Sequence, residues 1–224
     1  MANQVSLMAL PIVDQGQSIR NTRNDNYGAD DIHNVGHWAE FNLATIQQRS
    51  VSDRRILNQP GRTSSSQWLR IYEFHPAVDR PYNSNFDVGT MAETVDNFIP
   101  DVAVFDTNLP TNTRPNRLPG DVKPSYKWSM GLRNHPTPSK RTEFKQVLSQ
   151  VNFYMKQHHA CYSFILTNRE LVAVRRLDRN GNLQLSDSIP WTARGTASQP
   201  RLTVLLGLWY LCMLASRDQD AYLE

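Results

Sequence analysis

The chain has 224 residues, 39% of them hydrophobic and 20% charged, with a formal net charge of +3 and a mean hydropathy of −0.54. That is enough apolar mass for one core, and the length favours one large domain over two small ones. Two cysteines, Cys161 and Cys212, exclude a disulfide framework and a cysteine-only zinc site within one chain.

Residues 1 to about 27 read as a flexible segment rich in Asn, Gln, Ser and Arg, with a single domain expected over 28–224. Val5 to Val13 is apolar but has no basic residue before it, so no secretory signal is expected. Ile32, Val35, Ala39, Leu43 and Ile46 recur at helical spacing. They predict a first helix from Asp30 or Asp31 to about Gln48, weakened by Gly36. Residues 58–67 read as a loop, Trp68 to Phe74 as a helix or strand, and Gly89 to Phe98 as a helix. Pro100-Asp101 opens a short strand, Val102 to Phe105. A polar loop from Thr107 to Gly120 leads to a second short strand, Asp121-Val122-Lys123, stopped by Pro124. Glu143 to Gln157 is the clearest amphipathic helix, with the stripe Phe144, Val147, Leu148, Val151, Tyr154, Met155. Tyr162 to Thr167 and Leu171 to Leu177 read as strands, and Asn180-Gly181 as a hairpin turn returning through Leu183 and Leu185. Leu202 to Ala215 is apolar all round and predicts a buried helix, too short to span a bilayer. This order predicts an α/β or α+β domain with a mixed central sheet covered by helices. The expected setting is intracellular, nuclear or cytoplasmic, with no membrane partner.

Charge is unevenly spread. Residues 112–145 hold eight basic side chains (Arg114, Arg117, Lys123, Lys127, Arg133, Lys140, Arg141, Lys145) against Asp121 and Glu143, a surplus of six that leaves the remainder at −3. Such a stretch suits an anionic partner or a solvated loop.

The candidate chemistry lies where the two short strands meet. Residues two apart on a strand share a face, so Asp121 and Lys123 project together, with Val122 turned into the sheet. If the strands are neighbours, Asp101 reaches the same spot. Two carboxylates and a lysine suit phosphodiester hydrolysis: hard oxygens bind Mg²⁺, and an ammonium orients water or stabilises the transition state. The carbonyl of Val122 would complete the site. An acid-x-lysine triplet alone is weak, since chance supplies roughly 0.5 in a chain of this composition. Glu143-Phe144-Lys145 is a second triplet. It opens a helix, where residues two apart diverge, and its glutamate reads as first-turn dipole complementation.

Pro100-Asp101 followed by Asp121-Val122-Lys123 resembles the signature of the PD-(D/E)xK nuclease superfamily, the restriction-endonuclease-like fold. Gln150 and Tyr154 resemble the Q-x-x-x-Y element of its RecB-like branch. The stretches 121–128, 146–155, 164–174 and 195–206 are similar to a large group of fungal proteins assigned to this fold. The resemblance covers residues 100–216 well and the N-terminal half loosely. It implies a restriction-endonuclease-like core, Mg²⁺ or Mn²⁺ held by Asp101, Asp121 and the Val122 carbonyl, Lys123 positioning water, and Gln150 supporting from the helix. It also implies an acid from the first helix, for which Asp30 is preferred over Asp31 and Glu40; an N-cap role competes. DNA is the favoured partner, with Lys127, Arg133, Lys140, Arg141 and Gln146 as nucleic-acid contacts and Trp128 as a base-stacking group or a loop anchor. Tyr154 reads foremost as core, and His33 and His37 as surface or core histidines rather than ligands.

Two other functions stay open. A nuclease-like fold without activity could bind nucleic acid or protein, a reading favoured by aspartate at 121, where the fungal group more usually has glutamate, and by the modest net charge. The pocket could also act on a small molecule. The oligomeric state is open, with a homodimer among the options.

Overall fold

The computed structural model describes residues 20–49, 84–87, 100–106, 116–196 and 198–217. Among these it has a mixed sheet of eight strands. In chain order they are β1 (Asn34–His37), β2 (Ser84–Asp87), β3 (Val102–Asp106), β4 (Leu118–Lys123), β5 (Tyr162–Thr167), β6 (Glu170–Arg176), β7 (Asn182–Leu185) and β8 (Ile189–Pro190). Seven lie in the order β1-β7-β6-β5-β4-β3-β2, and β8 pairs with β6. The β1–β7 and β4–β5 pairs are parallel and the others antiparallel. Helix α1 covers residues 43–49, α2 Pro138–Gln157 and α3 Val204–Arg217. The protein is thus α+β, with helices on both faces of a mixed sheet.

The two faces explain the apolar runs of the central strands. Phe164 of β5 and Leu171 and Ala173 of β6 pack with Tyr210, Leu211 and Leu214 of α3. Their neighbours Ile165, Val172 and Val174 pack with Val147, Leu148 and Val151 of α2. A strand covered on both sides carries no polar alternation. Each such large side chain contributes about 1.5–3 kcal/mol by leaving water. Because β4 and β5 are parallel, they need a crossover, and α2 is that crossover. It carries the amphipathic face of residues 144–155 back over the sheet.

Several expectations change. The first helix is instead a 3-10 turn (Ala29–Asp31), strand β1 and α1. Tertiary pairing overrides the helical spacing: His33 and Asn34 N–H groups point at the Gly181 carbonyl, and the Trp38 N–H donates to the Leu185 carbonyl at 2.7 Å. Helix α2 starts at Pro138, five residues before the expected start at Glu143, because its first turn is polar and mostly exposed and carries no apolar period. Proline suits that first position. Glu143 is therefore not a first-turn residue. The polar loop ends sooner than expected, since β4 begins at Leu118. Helix α3 is not buried all round, as Leu205 is 70% exposed. The hairpin at Asn180-Gly181 forms as expected: Gly181 has φ 74°, and a Cβ there would overlap the Asp31 carbonyl. Residues 20–27 are also placed rather than loose. The expected elements at 58–74 and 89–98 lie outside the described residues. Among the described residues, no helix is long and apolar enough to cross a membrane.

Candidate functional site

Strands β3 and β4 are antiparallel neighbours, with Val102 opposite Gly120. That register sets Asp101 across from Asp121, as their proposed convergence requires. Asp101 is exposed, and its Oδ2 accepts the Val122 N–H at 2.9 Å. A strand residue's N–H and C=O leave the same edge, so the Val122 carbonyl faces the side on which Asp101 stands. The Val122 side chain does not turn into the sheet; it is 43% exposed.

Asp121 is fully buried on the face covered by α2. Lys123, two residues on, shares that face, with Nζ 2.6 Å from Asp121 Oδ1 and its side chain only 12% exposed. The other oxygen, Asp121 Oδ2, is buried with no hydrogen-bond partner. Burial pushes the Asp121 carboxyl up to about 6. Lys123 pulls the other way, by charge and by hydrogen bond, and Asp101 adds to the rise. Below the site, Gly120 leaves room for the Phe164 ring, which any Cβ would overlap.

Helix α2 packs against β4 on this face. Gln150 and Tyr154, one turn apart and both buried, are joined by a hydrogen bond from Gln150 Nε2 to the Tyr154 hydroxyl at 3.1 Å. Burial first raises Tyr154, to about 12, against the Gln150 hydrogen bond, and the charges of Asp121 and Asp101 add to the rise. Tyr154 is thus a core residue, as expected. A second tyrosine, Tyr27, is buried and raised by burial and then by the charge of Asp121. Sequence reasoning missed it. Its only signal was the turn-prone Asn24-Asp25-Asn26 before it.

The remaining expected residues are dispersed. Asp30 is exposed in the 3-10 turn, and the charges acting on Asp121 are Lys123 and Asp101, not Asp30. Gln146 is buried and donates to the Thr22 carbonyl at 3.1 Å. Arg133 donates to the Val35 carbonyl of β1, and Arg141 to the His135 and Pro136 carbonyls at 2.7 and 2.8 Å. Lys127 and Lys140 are half-buried. Trp128 is no base-stacking group: it is fully buried, stacks on Phe144 with rings 5.5 Å apart, and donates to the Phe144 carbonyl. His37 faces Asp187 at 3.2 Å.

The donor set fits a hard divalent cation. Asp101, Asp121 and the Val122 carbonyl are oxygen donors, and the unpartnered Asp121 Oδ2 is a buried acceptor in want of a positive charge or a donor. Magnesium keeps several waters and needs only one or two carboxylates. Among the described residues, no group of three or more His, Cys, Asp and Glu side chains could hold a metal. No protein-family model, curated protein or solved structure matches the chain.

Proposed function

We propose that the chain is a divalent-metal-dependent phosphodiesterase, a nuclease whose favoured substrate is DNA. The observation that carries this reading is the Asp101–Asp121–Lys123 group, in which a buried carboxylate keeps one oxygen unpartnered beside a second carboxylate and a lysine. Asp101, Asp121 and the Val122 carbonyl would hold Mg²⁺ or Mn²⁺. The cation, when bound, supplies a water of lowered pKa and positive charge for the scissile phosphate. Lys123, held at Asp121, places an ammonium where negative charge develops. Gln150, hydrogen-bonded to the Tyr154 hydroxyl on α2, would support the site from the helix that packs against β4. Arg133 and Arg141 spend their guanidinium groups on backbone carbonyls, so Lys127 and Lys140 are the basic side chains that would meet flanking phosphates. A restriction-endonuclease-like core, with Asp30 outside the site, belongs to the same proposal.

A second reading is a nucleic-acid- or protein-binding module on the same core. Aspartate at 121, where the fungal group that the sequence resembles more usually has glutamate, favours it.

The test is incubation of the purified protein with plasmid, linear and single-stranded DNA and with RNA, plus Mg²⁺ or Mn²⁺. Asp121→Ala and Lys123→Ala run alongside. Metal-dependent cleavage lost in both variants supports hydrolysis. Salt-sensitive binding without cleavage, unaltered in the variants, supports the second reading.

A further inference from the structure

The chain turns immediately after Lys123. The Lys127 and Trp128 N–H groups both donate to the Pro124 carbonyl, at 2.9 and 3.2 Å, and close a tight turn over residues 124–128. Three contacts from elsewhere in the fold hold that turn. The Ser125 N–H donates at 2.8 Å to Asn168 Oδ1, in the connection from β5 to β6. The Lys127 carbonyl accepts the Asn21 side-chain amide at 3.3 Å. Asn21 belongs to a strap, residues 21–27, tied along α2 by Glu143 and Gln146. Trp128, which ends the turn, is fully buried and stacks on Phe144.

Between these anchors stands Tyr126. It is half-buried, and among the described residues its hydroxyl has no hydrogen-bond partner and its ring no aromatic partner. Nor is it one of the partly buried side chains packed against either core. The other half-buried aromatic side chains are engaged: Tyr162, Trp191 and Trp209 pack against the core under α3, and Phe153 meets Tyr27. Tyr126 is thus an aromatic ring that the fold holds in place and does not use. A flat ligand meeting it finds the loop already ordered, so little further entropy is lost on binding. Its Cα lies within about 11 Å of that of Lys123, the reach of three residues. Stacked DNA covers that length in about three nucleotides.

From this placement we infer that Tyr126 is the base-stacking residue of the site: a nucleobase beside the scissile phosphate stacks on its ring, and Lys127 meets the adjoining phosphate. The substrate class is single-stranded DNA, because the bases of a duplex are already stacked on one another. The inference rests on the phosphodiesterase reading and narrows its substrate. Trp128 serves it as the buried anchor of the turn.

The experiment uses the full chain, Mn²⁺, and a fluorescein-labelled oligonucleotide as single strand and as duplex. Tyr126→Ala is expected to leave the melting temperature unchanged, because the ring packs in neither core. It should raise KM on the single strand roughly five- to a hundredfold, the range of one lost base–aromatic stack, with kcat within twofold. KM on the duplex should stay within twofold. Tyr126→Phe and Tyr126→Trp keep a ring and should match the wild type. A single abasic position beside the cleavage point should raise the wild-type KM to the same degree and that of Tyr126→Ala no further. A single-strand KM in Tyr126→Ala within twofold of the wild type overturns this inference alone. So do equal losses on single strand and duplex, cleavage of the duplex only, or a loss in Tyr126→Phe as large as in Tyr126→Ala, which would assign the hydroxyl rather than the ring. Absence of metal-dependent cleavage by the wild type overturns the phosphodiesterase reading together with it.

Discussion

Asp121 makes the folded protein's stability depend on pH in a direction opposite to that of most carboxylates. Its carboxyl titrates near 3.8 in a free chain and is pushed up to about 6 by burial in the fold. Below 3.8 the group is protonated in both states and contributes nothing to the pH dependence. Between 3.8 and about 6 the unfolded chain gives up its proton while the folded protein retains it, so stability falls as pH rises. Above about 6 the loss is complete. At about 1.4 kcal/mol for each tenfold change in proton affinity, the interval amounts to about 3 kcal/mol. Asparagine copies the neutral carboxyl in shape and cannot ionise. The Asp121→Asn variant should therefore gain about 3 kcal/mol on the wild type between pH 4 and pH 8. Urea unfolding at a series of pH values, in EDTA at constant ionic strength, measures the difference. Adding Mg²⁺ at about 100 times its dissociation constant should return about 2.7 kcal/mol to the wild type alone. A stability difference that is the same at pH 4 and pH 8 would refute the burial argument. A variant that loses stability at pH 8 would show that the Lys123 ion pair outweighs desolvation.

Three further outcomes follow from the same geometry. Lys123→Met removes the positive charge that lowers the Asp121 carboxyl, so the midpoint followed by carboxyl carbon NMR should move above about 6. Gly120→Ala sets a methyl against the Phe164 ring and should cost about 1–3 kcal/mol by overpacking, partly recovered in the Gly120→Ala/Phe164→Leu pair, with urea unfolding as the measure. Glu143→Ala leaves the Asn21 donors without their carboxylate and should cost about 1–3 kcal/mol, with faster hydrogen exchange confined to the strap.

The candidate site was legible where its geometry is local. Asp121 and Lys123 share a face because they are two apart on a strand, and the 2.6 Å ion pair is a direct result. Gln150 and Tyr154 meet because they are four apart on a helix. Asp101 required one assumption, that β3 and β4 are adjacent, and their antiparallel register satisfies it. Tyr27 was not legible, because its segment carries no apolar period. Its position comes from hydrogen bonds to Glu143 and Gln146, more than a hundred residues away. The local partners of the basic side chains were not legible for a related reason. Arg133 and Arg141 donate to backbone carbonyls, and no composition count shows which carbonyl a guanidinium reaches.

Local sequence signals were enough for the types of five elements: an apolar period marked α2, short apolar runs marked β5 and β6, Asn180-Gly181 marked the turn into β7, and a long apolar run marked α3. Those signals are short-range, since each depends on residues within a turn or a pleat of one another. The tertiary structure alone decided that β1 forms where a helix was expected, because its backbone is claimed by β7. It also decided that Trp128 lies in the core and that Asp121 is buried. Partner strands and burial depend on which distant surfaces meet, and that information exists only once the sheet and its two covering helices have assembled.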